Sequence, residues 1–129
     1  MSITTKTSLL IVEDDPLFRE TLVDAMGLKK IDARGVASAA EALTLLESYT
    51  PSIILMDVQL PDMHGFDLCR RLKRSERWSR LPIVLLSARY TEPADRAEGL
   101  LAGAEAYLSK PVNLEALWDE VSYLLDKNA

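Results

Sequence analysis

The sequence has one cysteine, one histidine and no long apolar run. A lone cysteine, Cys69, excludes an intramolecular disulfide and fits a reducing compartment. A lone histidine, His64, has no second histidine with which to share a metal, so we expect an exposed turn residue there. The longest apolar segments, such as Ile53–Met56 and Ile83–Leu86, are far too short to span a bilayer. We therefore expect a fold without disulfides, histidine-bound metal or membrane contact.

Basic residues are fewer than acidic ones, 15 against 20, and the formal net charge is −5. This acidic balance argues against nucleic acid as a direct ligand. The 129 residues correspond to about one domain, and a hydrophobic fraction of 48% is enough for its core. The start, MSITTKTS, lacks the apolar centre of a signal peptide. We expect residues 1–7 to be a flexible tail and residues 8–127 to be the domain.

Short apolar runs alternate with amphipathic helical segments along the chain. The runs predict five strands, at residues 9–12, 31–36, 52–57, 81–88 and 106–109, of which the second has the weakest signal and the third is strongly buried. Five helices are predicted after them, with end signals at Asp15-Pro16, Ser38–Glu41, Gly103 and Asn113. Right-handed crossovers then give an α/β fold, a flavodoxin-like doubly wound parallel sheet of order 2-1-3-4-5.

Polar residues follow four of the five predicted strands. The first strand ends in Glu13 and Asp14, the third in Asp57, the fourth in Ser87 and the fifth in Lys110. In doubly wound sheets the functional crevice lies outside the carboxyl ends of the strands. We therefore expect the three acids to converge there, with the hydroxyl and the ammonium group opposite them.

This combination is suited to phosphoryl transfer that depends on a divalent cation. Mg²⁺, or Mn²⁺ in its place, would relieve the repulsion among Glu13, Asp14 and Asp57. Asp57 would act as the nucleophile that accepts a phosphoryl group. Ser87 and Lys110 would then hold the transferred oxygens in the transition state. The third acid of the EDD triplet, before Pro16, is expected to cap the first helix instead.

Over residues 8–127 the chain resembles the receiver domain of bacterial two-component response regulators. The segments that carry the resemblance are LLIVEDDP, IILMDVQLPDMHGFDL, PIVLLSA and GLLAGAEAYLSKPVNLEAL. The resemblance implies that Asp57 is the phosphoacceptor and that Glu13, Asp14 and Asp57 bind Mg²⁺. It also implies that Gln59 supplies a backbone carbonyl to the cation.

The resemblance further implies a switch rather than an enzyme, one that assists only its own phosphorylation and dephosphorylation. Ser87 and Lys110 take the catalytic roles, and Ser87 and Tyr107 are the switch pair, with Tyr107 moving inward after phosphorylation. The donor would be a phosphohistidine on a histidine kinase or histidine phosphotransfer domain in the cytoplasm. A homodimer or an output domain would use the surface of the fourth helix, fifth strand and fifth helix. Gln59 and Arg89 are expected to set the phosphoryl lifetime.

Two other functions use a similar fold or chemistry. A phosphohydrolase of the haloacid dehalogenase type also uses an aspartyl nucleophile after a buried strand. That family has a second aspartate two residues later, where this chain has Gln59, and it commonly carries a cap insertion. A flavin carrier needs a loop of small residues around a phosphate after the first strand, where this chain has carboxylates. Both alternatives fit the sequence less well.

Overall fold

The computed structural model describes residues 7–127. Its strands are β1 Ser8–Val12, β2 Asp32–Val36, β3 Ile53–Asp57, β4 Ile83–Ser87 and β5 Ala106–Ser109. Its helices are α1 Pro16–Leu28, α2 Ala39–Leu46, α3 Gly65–Arg74, α4 Pro93–Leu101 and α5 Leu114–Lys127. The predicted tail lies outside the described residues except for Thr7, whose carbonyl accepts the N–H of Asp32. Among residues 7–127, no helix combines the length and apolarity needed to cross a membrane.

The five strands form one parallel sheet in the order β2-β1-β3-β4-β5, which confirms the predicted topology. β1 pairs with β2 on one side and β3 on the other, so that Val12 lies between Val36 and Met56. Strands β3 and β4 are buried along their whole length, as their continuous apolar runs predict. β2 is an edge strand and is partly exposed.

The sheet separates two apolar cores. Successive strand residues point to opposite faces, so that Leu10 packs on one side and Ile11 on the other. Helices α2 and α3 cover the first face, and Tyr107 of β5 packs there beneath α4. Helices α1 and α5 cover the second face. All five strands therefore present their carboxyl ends at one shared edge between the two helical layers.

Side chains cap the starts of the helices as the sequence predicts, with two differences. Asp15 accepts the N–H of Leu17 at the start of α1, and Asn113 accepts two N–H groups at the start of α5. Ser38 accepts the N–H of Glu41, but the Glu41 carboxylate returns to the N–H of Ala37. The second difference is at α3, described next.

His64 is not an exposed turn residue, and that expectation is wrong. Its Nδ1 accepts the N–H of Phe66 at 3.1 Å, which makes His64 the N-cap of α3. Its ring also lies 4.6 Å from the Phe66 ring and 5.2 Å from the Tyr90 ring, between centroids. The ring is only partly exposed, because it packs between the start of α3 and the segment after β4.

Candidate functional site

The three acids predicted from the strand ends lie together. One carboxylate oxygen from each of Glu13, Asp14 and Asp57 can be chosen so that all lie within 4.8 Å of one another. Glu13 and Asp57 are 1% and 6% exposed, whereas Asp14 is exposed. The cluster forms because β1 and β3 are neighbours and both end at the same edge of the sheet.

Lys110 extends from the end of β5 to the acid cluster. Its Nζ lies 2.7 Å from Oε1 of Glu13 and 3.5 Å from Oδ2 of Asp57. The ammonium group also lies 4.8 Å from the centre of the Phe18 ring, which shields it from water on that side. The ammonium group of Lys110 therefore contacts two of the three carboxylates. Its single positive charge leaves the cluster with a net negative charge.

The electrostatics of the site follow from burial and this single cation. Burial raises the pKa of Asp57, the charge of Lys110 acts against that rise, and the charge of Asp14 adds to it. Burial likewise raises the pKa of Glu13, although its bonds to Lys110 and to the N–H of Asp15 oppose the rise. Burial alone would lower the pKa of Lys110, but the bond to Glu13 and the charge of Asp57 outweigh it, and the pKa is raised.

The donor set fits a small, hard divalent cation. Three carboxylate oxygens are close together, and a cleft of about 510 Å³ opens beside them with room for water ligands. Gln59 lines this cleft, and its N–H donates to Oδ1 of Asp57 at 3.2 Å, which fixes the residue beside the cluster. Glu13, Asp14 and Asp57 could therefore hold a divalent cation such as Mg²⁺.

The two predicted switch residues meet at Tyr90, which the sequence reasoning missed. The Ser87 hydroxyl is 1% exposed and accepts the N–H of Tyr90 at 2.8 Å. The Tyr107 hydroxyl donates to the Tyr90 carbonyl, and burial raises the pKa of Tyr107. Tyr107 is 3% exposed, so its ring occupies an inward position in this structure. The sequence signal for these contacts is an aromatic residue three positions after Ser87, and that signal is weak.

Arg19 and Asp62 were also missed. A guanidinium nitrogen of Arg19 donates to the Glu13 carbonyl at 2.8 Å and so holds the acidic turn after β1. Asp62 accepts backbone N–H groups at the start of α2. Arg89, predicted to affect the phosphoryl lifetime, is exposed next to Ala88, which lines the cleft. These contacts depend on loop conformations that the sequence pattern does not specify.

The sequence is similar to known proteins across most of its length. The family model for the response regulator receiver domain matches residues 9–122. The transcriptional regulatory protein AfsQ1 of Streptomyces coelicolor is 39% identical over 105 residues, 81% of this chain and 45% of that protein. The DNA-binding response regulator MtrA of Mycolicibacterium smegmatis is 34% identical over 125 residues, 97% of this chain and 53% of MtrA. The chain thus spans about half the length of these two relatives.

Solved structures share the fold. The receiver domain of a signal transduction histidine kinase from Syntrophus aciditrophicus has a TM-score of 0.86 at 31% identity, covering 94% of this chain and 91% of that chain. A CheY-like response regulator receiver domain protein from Methanospirillum hungatei has a TM-score of 0.88 at 26% identity, covering 95% of this chain and 96% of that chain. The chain belongs to the family of response regulator receiver domains of two-component systems.

Proposed function

We propose that residues 8–127 form a switch that accepts a phosphoryl group on Asp57, with Mg²⁺ or Mn²⁺ bound at Glu13, Asp14, Asp57 and the Gln59 carbonyl. The donor is a phosphohistidine on a histidine kinase or histidine phosphotransfer domain. The observation that carries the proposal is the meeting of Asp57 with two further acids and Lys110 at one sheet edge. That arrangement has a nucleophile, a cation site and a fixed positive charge within one cleft.

In the proposed reaction a carboxylate oxygen of Asp57 attacks the phosphorus atom. The new oxygen–phosphorus bond forms as the nitrogen–phosphorus bond breaks, and the electron pair of that bond remains on the imidazole nitrogen. The bound cation supplies charge neutralisation for the phosphoryl oxygens. Lys110, 3.5 Å from Asp57, adds a second positive charge, and the Ser87 hydroxyl has a proton to donate to a phosphoryl oxygen.

The proposed switch would act through the hydrogen bonds that link Ser87, Tyr90 and Tyr107. A hydrogen bond from the Ser87 hydroxyl to a phosphoryl oxygen would fix that hydroxyl, which also accepts the N–H of Tyr90. The Tyr90 carbonyl in turn accepts the Tyr107 hydroxyl, so phosphorylation stabilises the inward ring. This biases the surface of α4, β5 and α5, where Leu101 and Tyr123 are 87% and 60% exposed. A second copy or an output domain would bind this surface.

The proposed role is signalling rather than substrate turnover, in the cytoplasm where the donor kinases act. MtrA is named as a DNA-binding protein, but this chain spans 53% of it and carries a formal net charge of −5. We therefore assign no direct contact with nucleic acid to residues 8–127. Any DNA contact would belong to a different part of such regulators.

Asp57→Asn tests the acceptor directly. The amide is not a nucleophile at neutral pH, so the variant should gain no phosphoryl mass from acetyl phosphate and Mg²⁺. Asp15→Asn is the matched control, because Asp15 lines the same cleft but caps α1, and it should be phosphorylated like the parent. Intact-protein mass spectrometry measures both. A phosphorylated Asp57→Asn protein would mean that the acceptor is a different residue.

The purified parent protein also distinguishes the proposed switch from the two alternative functions, a phosphohydrolase and a flavin carrier. Beryllofluoride mimics the aspartyl phosphate, and with Mg²⁺ it should shift the NMR signals of residues around Ser87 and Tyr107. A phosphohydrolase would instead turn over a small phosphate ester continuously. A flavin carrier would respond to added flavin mononucleotide and not to beryllofluoride.

A further inference from the structure

Asp62 connects the loop after β3 to the first turn of α2. Its Oδ1 accepts the N–H of Ala39 at 2.9 Å, and its Oδ2 accepts the N–H of Ala40 at 2.9 Å. N–H groups in the first turn of a helix have no partner within the helix, so these two need an outside acceptor. The bonds to Ala39 and Ala40 lower the pKa of Asp62, as expected for charge-assisted bonds to an ionised carboxylate.

The place of this contact in the sheet is what gives it functional meaning. α2 follows β2, the loop follows β3, and β1 lies between those two strands. The contact therefore spans the carboxyl end of β1, where Glu13 and Asp14 lie. The same loop contributes Gln59, Leu60 and Pro61 to the lining of the cleft at the candidate cation site.

The base of the same loop is fixed by β3 itself. The N–H of Gln59 donates to Asp57 Oδ1 at 3.2 Å, and the N–H of Gly65 donates to the Val58 carbonyl at 2.6 Å. A Cβ at Gly65 would lie 2.6 Å from the Asp57 carbonyl oxygen, so the loop returns against its own start. Gln59 thus lies between a base fixed at β3 and a tip fixed by Asp62.

We propose that Asp62 is a positioning residue for the cation site, which keeps the backbone of Gln59 beside the acid cluster by holding the loop tip on α2. The inference rests on the proposed function, since it requires that a divalent cation binds at Glu13, Asp14 and Asp57. Asp62 acts through the loop and does not itself touch the cation. Loss of residues that orient metal ligands weakens metal affinity by roughly 10–100-fold.

Glu41 offers a matched control at the same end of α2. Its Oε2 accepts the Ala37 N–H and the Ser38 hydroxyl, each at 3.2 Å, so it caps the helix without contacting the loop after β3 in those bonds. Glu41→Gln removes one negative charge there, as Asp62→Asn does. A difference between the two variants therefore reports on the loop rather than on charge or on capping.

The experiment measures cation affinity of the whole, unphosphorylated chain. Mg²⁺ is titrated by calorimetry, and Mn²⁺ is titrated by the loss of the free-ion EPR signal. We expect Asp62→Asn to bind about tenfold more weakly than the parent and Glu41→Gln to stay within about twofold. Asp62→Ser, which keeps one acceptor without the charge, should give a similar loss. Amide hydrogen exchange at Gln59 should be faster in both Asp62 variants and unchanged in Glu41→Gln.

Each alternative result has a definite reading. Equal weakening in Asp62→Asn and Glu41→Gln would mean that charge alone matters and would overturn the positioning role. Parent affinity in the folded Asp62 variants, with folding checked by urea denaturation, would overturn it too and would leave the proposed function intact. A parent protein that binds neither Mg²⁺ nor Mn²⁺ would overturn the proposed function as well.

Discussion

At the scale of single residues, the burial of Asp57 and its proposed reaction place opposite demands on the ionisation of its carboxyl group. Its burial raises its pKa, which favours the neutral acid, whereas nucleophilic attack needs the carboxylate. The charge of Lys110 lowers the pKa of Asp57, and a bound cation would act in the same direction. Burial and positive charge thus act in opposite directions on Asp57, and Lys110 and a bound cation would both favour the carboxylate that the proposed reaction needs. This balance explains why a lysine that extends from the far side of the sheet contacts both Glu13 and Asp57.

Arg89→Ala should speed loss of the phosphoryl group. Hydrolysis requires a water in line with the oxygen–phosphorus bond at Asp57, and the exposed Arg89 lies beside the cleft, next to Ala88. We expect its guanidinium to extend over the phosphoryl oxygens and to block that approach. We expect decay of the Mg²⁺-bound phosphoprotein, after donor removal, to be about tenfold faster, which corresponds to about 1.4 kcal/mol of barrier.

Arg71→Ala is the control for that measurement, because Arg71 is an exposed arginine on α3 and does not line the cleft. Its decay rate should match that of the parent. Decay that is unchanged or slower in Arg89→Ala would exclude the blocking role for Arg89. Gln59, which does line the cleft, would then be the remaining candidate for control of the lifetime.

At the scale of secondary-structure elements, α4 and β5 are in direct contact through a residue without a side chain. A Cβ built at Gly99 of α4 would lie 2.6 Å from Cδ2 of Tyr107 and 3.2 Å from Cδ1 of Leu85. Gly99 costs helix propensity, but it makes room for the inward ring. The helix and the switch residue therefore cannot be changed independently.

Gly99→Ala should displace the Tyr107 ring from its buried position. We expect lower stability by about 1–3 kcal/mol, as for other overpacked cores, and slower phosphorylation by acetyl phosphate. NMR signals of the tyrosine rings measure the displacement, and urea denaturation measures the stability. Gly27→Ala in α1 is the control, since nothing lies within 4 Å of its built Cβ. It should raise stability by about 0.4–1 kcal/mol and leave phosphorylation unchanged. An unmoved ring in Gly99→Ala would contradict the prediction.

The elements themselves could be predicted from the sequence, because each has a local signal. Apolar runs located the five strands, and the caps at Asp15 and Asn113 depend on residues only two or three positions away. The polar residues at the strand ends could also be identified from the sequence, because each of them directly follows an apolar run. Their convergence could then be predicted from the strand order, which places β1 beside β3.

Contacts between elements could not be predicted, because they depend on loop paths. Asp62 bonds to α2 across 22 and 23 positions of sequence, and nothing in its neighbours indicates this. The packing of His64 against Tyr90 could not be predicted, because Tyr90 lies in a different loop. Leu114, at the start of α5, is apolar but 42% exposed, and residues 113–116 around it are exposed as well.

At the scale of the whole molecule, the acid cluster belongs to the folded state alone. Glu13 and Asp57 are 44 positions apart and meet only when β1 and β3 pair. A ligand of the cluster therefore binds the folded chain and not the unfolded one, and it must raise global stability. The ends of the central strands thus couple cation binding to unfolding of the entire sheet.

Mg²⁺ should therefore stabilise the parent protein, and Asp14 should be required for the gain. At a concentration 100 times the dissociation constant, binding adds about 2.7 kcal/mol, which corresponds to a rise of several degrees in Tm. Asp14→Ala should lose most of this gain. Asp15→Ala should start about 1 kcal/mol lower, because it loses the cap on Leu17, yet keep the gain. Thermal unfolding with Mg²⁺ or with Na⁺ at equal ionic strength decides this, and equal loss in both variants would place Asp15 among the ligands.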